Sequence, residues 1–195
     1  MRSKHIIVRP ALALPKESYV NLMIGKTQSL RQHARGDCPY IAIPVFLSRA
    51  FRHTSIYVRK DRIREPRDLA GKRVGLPEYQ LSANVWARAL LQDDYGVRPE
   101  DVTWVRGGID TPNRPEKIAL QLPPGVKVEA APEGKTISML LEEGAIDGFI
   151  GPRPPSAHIL ARNPNIAWLF DDPTVVAKDY YKRSLEIEEK NLGPQ

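Results

Sequence analysis

Phe51-Arg52-His53-Thr54-Ser55-Ile56-Tyr57-Val58-Arg59 and, one charged connection later, Asp68-Leu69-Ala70-Gly71-Lys72-Arg73-Val74-Gly75-Leu76-Pro77-Glu78-Tyr79-Gln80 decide the fold. Each contains a short apolar, β-branched run with polar residues at its end. The second run stops at Pro77-Glu78-Tyr79-Gln80 and gives way to a pattern of helical period. Open α/β sheets present ligand-binding residues in this way, at the carboxyl ends of strands where helices begin.

Working outward, Ile41 to Phe46, Ser55 to Arg59, Lys72 to Leu76, Val102 to Val105, Val126 to Ala130, Ile146 to Ile150 and Ile166 to Phe170 read as strands. Between them, Ser82 to Tyr95 carries Val85, Trp86, Ala89 and Leu90 at helical spacing and ends at Gly96, the residue suited to a left-handed C-terminal cap. Pro66-Arg67-Asp68-Leu69 reads as a short helical turn, and Thr136 to Glu143, Ser156 to Arg162 and Thr174 to about Arg183 as helices. Asp110 to Gly125 holds too many prolines and charges for regular structure and reads as a surface loop. A helix near Tyr19 to Ala34 is the single expectation for residues 1–37, and the polar, acidic stretch Leu185 to Gln195 reads as a fraying tail. Alternation of strands and helices predicts an α/β sheet rather than a sandwich or a bundle.

Composition narrows the function classes. With 195 residues and 42% hydrophobic residues, the chain can bury a core. The net charge of +6 is spread among acids, as in Lys60-Asp61-Arg62 and Arg67-Asp68, with no basic block interleaved with aromatics. This favours a small anionic partner over nucleic acid. The amino end, Met1 to Leu14, is broken as a signal peptide by Arg9 and Pro10, so a cytoplasmic location is expected. No apolar run approaches the roughly 20 residues of a membrane span. The single cysteine, Cys38, excludes an internal disulfide and a multi-cysteine metal site, and reads as structural.

Five ordered segments resemble one family: Gly36-Asp37-Cys38-Pro39-Tyr40-Ile41-Ala42-Ile43-Pro44, Ser48-Arg49-Ala50-Phe51-Arg52-His53, Gly75-Leu76-Pro77-Glu78-Tyr79-Gln80, Leu91-Gln92-Asp93-Asp94-Tyr95-Gly96-Val97 and Gly148-Phe149-Ile150-Gly151-Pro152-Arg153-Pro154-Pro155. Together they resemble the 4,5-dihydroxyphthalate decarboxylases, relatives of the type II periplasmic solute-binding proteins, whose generic Asp-Leu-x-Gly-Lys-x-Val-Gly pattern is present as Asp68 to Gly75. The resemblance runs from about Gly36 to Arg183 and implies a two-lobed fold with an incomplete first lobe. Residues 36–62 and 156–183 would form part of lobe 1 and residues 63–155 lobe 2, flanked by a poorly matched segment 1–35 and a polar tail 184–195. The chain crossings would fall near Val58 to Arg64 and Gly151 to Pro155.

The activity so implied is loss of one carboxylate from 4,5-dihydroxyphthalate or a related aromatic dicarboxylate, giving a protocatechuate-type product with no cofactor. The alternative is a non-catalytic binder of an anionic aromatic on the same fold. Fold alone does not separate them. Self-association into a homo-oligomer is compatible with either.

The chemistry needs a grip on two carboxylates, a positioned proton and exclusion of water. Arginine suits the grip because its planar fork binds a carboxylate through two parallel hydrogen bonds. Arg49, Arg52, Arg106 and Arg153 stand where strands meet loops, although a lone arginine in a basic chain is more often a solvated surface residue. Tyr79, Gln80 and Ser82, at the start of a helix, are further substrate-binding candidates; the plain role for Ser82 is the N-cap. His53 and Glu78 are the candidate proton groups, one by its near-neutral titration and the other by partial burial. Trp86 reads as core, and Tyr180 and Tyr181 as core packing that could also stack on a ring. His5, His33, His53 and His158 lack metal-ligand spacing, and no metal is expected.

Overall fold

The computed structural model describes residues 8–10, 40–42, 51–116 and 119–192. Two compact units divide the chain, residues 1–50 and 51–195. In the first, β1 (Val8–Pro10) pairs antiparallel with β2 (Tyr40–Ala42), Arg9 opposite Ile41. The expected helix near Tyr19 to Ala34, the rest of the Ile41 to Phe46 strand, Cys38 and Arg49 lie outside the described residues.

The second unit is built on β3 (Ile56–Arg59), β4 (Arg73–Leu76), β5 (Thr103–Arg106), β6 (Lys127–Ala130), β7 (Gly148–Ile150) and β8 (Ile166–Trp168). They form one mixed sheet in the order β6-β5-β4-β7-β3-β8. β4 is parallel to β5 and β7, β5 is parallel to β6, and β3 runs antiparallel to both β7 and β8. Five strands therefore point one way and β3 the other. Their carboxyl ends, together with the amino end of β3, share one edge.

Alternate side chains leave the sheet on opposite faces, each covered by helices. Ile56, Val58, Val74, Leu76, Trp104 and Ile150 pack under α1 (Ser82–Tyr95), whose Ala87, Leu90 and Leu91 face them. Tyr57, Val105 and Phe149 pack on the other face with Ile137, Leu140 and Leu141 of α2 (Ile137–Glu143) and Ile159 of α3 (Ala157–Arg162). Near-continuous apolar runs such as Arg73–Leu76 are what a strand covered on both faces requires. The long helix α4 (Pro173–Leu192) adds Tyr180 to the first face.

The sequence boundaries hold to within a residue or two for most elements, and Gly96 caps α1 at φ 70°. Four expectations change. Strand β3 and β8, assigned to another lobe than β4 and β7, lie in the same sheet as them, so residues 63–155 do not separate from 51–62 and 156–183. The reason is burial: β3 is covered on both faces and hydrogen-bonded on both sides, which fixes it as an interior strand. The tail is helix as far as Leu192, because no proline or glycine interrupts Thr174 to Leu192. Trp86 is 44% exposed, standing on the outer side of α1 against the Tyr181 ring. Ser82 is the first helical residue while Leu81 takes the N-cap position, and the Ser82 hydroxyl makes no cap.

Candidate functional site

The shared edge gathers the residues singled out from the sequence and spaces them by strand. Arg106 ends β5, Glu78 and Tyr79 follow β4, Arg153 follows β7, and Arg52 and His53 precede β3. With neighbouring strands about 4.8 Å apart, the strands that lead to Glu78 and His53, β4 and β3, are two strand spacings apart, roughly 10 Å. The residues form three neighbouring clusters.

The first surrounds Glu78, which is 1% exposed. Its Oε1 accepts from Arg114 Nε at 2.9 Å and Nη2 at 2.5 Å, while Oε2 has no hydrogen-bond partner among the described residues. The Glu78 carbonyl accepts from Asn84 Nδ2 at 2.5 Å, tying the end of β4 to α1. Tyr79 packs edge-on to Trp104, with the Arg88 guanidinium 3.7 Å over its ring and also donating to the Tyr79 carbonyl. The Tyr79 N–H donates to Glu116 Oε1, and Gln80 Nε2 donates to the Ala119 carbonyl at 3.3 Å. Glu78 and Tyr79 thus anchor the long loop between β5 and β6.

That loop bears the residues the sequence reading passed over. Arg106 Nη1 donates to the Arg114 carbonyl at 2.6 Å, and Arg106, Gly107, Asn113, Arg114, Ala130, Ala131 and Lys135 line an open cleft of ≈ 60 Å³. Three cations on one small cleft favour an anion. Lys135 also reaches Glu143 at 2.6 Å. Gly107 is required here, since a Cβ would lie 2.8 Å from that of Ala131. Burial pushes the Glu116 carboxyl above its ordinary range; Glu78 adds to that, while the Tyr79 and Gln80 N–H groups and Arg106 oppose it. A signal existed: a proline- and charge-rich stretch as long as Asp110 to Gly125 inside a compact unit marks a functional loop more often than a passive one.

The second cluster surrounds His53, which is fully buried. Its ring lies 5.1 Å from Phe170, 5.7 Å from Tyr180 and 6.2 Å from Tyr181, and neither nitrogen has a hydrogen-bond partner among the described residues. Desolvation holds the imidazole below its ordinary pKa, with Asp94 acting weakly the other way. Burial thus favours the neutral ring. The backbone N–H of the half-buried Arg52 donates to the Tyr181 hydroxyl at 3.2 Å. In the third cluster, exposed Arg153 pairs with Asp110 at 3.3 Å, and Asp110 accepts from Ser138 Oγ at 2.9 Å.

Among the described residues no three His, Cys, Asp or Glu side chains come together in a metal-ligand cluster, and no helix is long and apolar enough to cross a membrane.

Comparison with known proteins supplies the context for this edge. The family model described as NMT1/THI5 like matches residues 24–115. A 4,5-dihydroxyphthalate decarboxylase of Comamonas testosteroni is 57% identical over 151 residues, 77% of this chain and 46% of the relative. One of Pseudomonas putida is 54% identical over 150 residues, 76% of this chain and 58% of the relative. The chain spans about half the length of these curated relatives. Over about three quarters of its length, the chain is similar to 4,5-dihydroxyphthalate decarboxylases, and its mixed α/β sheet is consistent with a scaffold of the binding-protein type.

Proposed function

We propose that this protein acts as a carboxy-lyase on 4,5-dihydroxyphthalate or a closely related aromatic dicarboxylate, in the cytoplasm, releasing carbon dioxide and leaving a protocatechuate-type product. The observation that carries the reading is identity of 54% and 57% to proteins named for that reaction, across the segments that build the cationic edge.

The geometry supports it chemically. Arg106 and Arg114 on one side, with Arg52 and Arg153 further along, offer guanidinium groups to the two carboxylates of one ligand. Tyr79, Gln80 and Ser82 stand beside them at the start of α1. The reacting ring carbon gains a proton and the bond to its carboxylate breaks. The electron pair of that bond returns to the ring as carbon dioxide leaves. The hydroxyl para to that carbon shares the positive charge of the protonated ring. His53, Glu78 and Glu116 are among the groups at this edge able to hold a proton.

Incubation of the full chain with 4,5-dihydroxyphthalate tests the proposal. Equimolar carbon dioxide and a dihydroxybenzoate are expected. Saturable binding with no carbon dioxide released would replace the enzyme by a binder of anionic aromatics.

A further inference from the structure

We propose that Glu116 carries the proton at this edge and delivers it to the ring carbon that loses its carboxylate, while Glu78 serves as the fixed anchor of Arg114. The proposal rests on the carboxy-lyase reading for its chemistry and on separate geometry for its residue.

Three groups compete, and their surroundings separate them. His53 is buried among Phe170, Tyr180 and Tyr181, and neither nitrogen has a hydrogen-bond partner among the described residues. Glu78 is equally buried, and the oxygen that has partners is occupied by both nitrogens of the Arg114 fork, which holds it as an acceptor. Glu116 differs from both. It is only partly buried, two residues along from Arg114, and is held in place by the Tyr79 N–H. It also lies within the electrostatic influence of Arg106, and it is on the same loop as Arg114; those two arginines line the cleft. Solvent reaches it for reprotonation.

The step balances without a co-reactant. The Glu116 O–H bond breaks and a C–H bond forms at the ring carbon. The bond from that carbon to the carboxylate then breaks, its electron pair restores the aromatic ring, and carbon dioxide departs. Water returns a proton to the Glu116 carboxylate. Burial and the neighbouring Glu78 both favour the protonated form of Glu116, against Arg106 and the Tyr79 and Gln80 N–H groups. An incoming dicarboxylate adds negative charge and acts in the same direction as Glu78.

Glu116→Gln keeps an amide oxygen for the Tyr79 N–H, so the loop retains its anchor. Two measurements on the full chain are needed. The first is proton uptake on binding phthalate, which lacks the para hydroxyl, by calorimetry in two buffers of different ionisation enthalpy. The second is turnover of 4,5-dihydroxyphthalate. The expected result is proton uptake in the parent that disappears in Glu116→Gln, and turnover reduced about 100-fold or more with affinity preserved. Glu116→Asp should recover part of both. Parent-like turnover or parent-like proton uptake in Glu116→Gln overturns the assignment. A parent that takes up a proton through Glu116 yet releases no carbon dioxide leaves Glu116 as the proton carrier and removes the carboxy-lyase reading, so the two fail separately.

Discussion

His53 and Glu78 are both sealed from solvent, yet one is surrounded by aromatic rings and the other by an arginine fork. The difference sets opposite expectations for substitution. For His53 the folded-state pKa lies below the unfolded value near 6.5, so the unfolded chain binds more protons as pH falls through that window. Stability from the neutral ring is present above pH about 6.5 and declines below it. Urea unfolding at pH 7.5 and 5.5 should therefore show a loss on acidification that His53→Phe diminishes; an unchanged difference would refute the neutral-ring assignment. For Glu78, Arg114→Met strands a buried carboxylate. A cost of about 3 kcal/mol is expected, the lower end for breaking a buried pair because Arg114 is 40% exposed. Adding Glu78→Gln should restore part of that stability. The sequence made Glu78 and His53 visible by their place beside apolar runs. Arg114 and Glu116 stayed hidden because their partners, Glu78 and the Tyr79 N–H, are 36 and 37 residues away and no local period connects them.

At the scale of elements, apolar runs revealed strands because both sheet faces are covered, and Gly96 marked the end of α1 because only a left-handed residue fits there. The errors came from signals that local pattern does not contain. Trp86 has core spacing, but it is 44% exposed and packs its ring against Tyr181. The carboxyl-terminal tail is polar, yet a polar stretch without breakers extends a helix that has already nucleated at Pro173. Gly75 offers a test of how closely β4 approaches α2. A Cβ there would sit 2.6 Å from both Ile137 Cγ2 and Ile146 Cδ1. Gly75→Ala should destabilise by about 1–3 kcal/mol, the cost of overpacking a filled core. Gly71, where a Cβ meets nothing within 4 Å, bears only the cost of its φ of 75° and should lose about 1 kcal/mol as alanine. Equal losses at the two positions in chemical denaturation would argue against the tight β4–α2 seat.

At the scale of the whole second unit, the governing feature is strand direction. One antiparallel strand inserted between β7 and β8 brings the amino end of β3 to the edge where five other strands end. That insertion is what brings Arg52 and His53 to the same edge as the β4 and β5 loops, and it is not legible from alternation of helices and strands, which records order but not pairing. The same edge collects Arg106 and Arg114 from the end of β5 and its loop, Lys135 from beyond β6 and Arg153 from beyond β7. An anion that bridges these loops should shield the buried groups beneath it from exchange. The most direct test is backbone amide NMR of the full chain during titration with 4,5-dihydroxyphthalate. Shifts should concentrate at Tyr79, Gln80, Gly107, Arg114 and Arg153, with Lys60, Gly71 and Gly144 at the opposite ends of the strands unmoved. Shifts confined to those opposite ends, with Tyr79 and Gly107 unmoved, would contradict the assignment of the carboxyl edge as the ligand site.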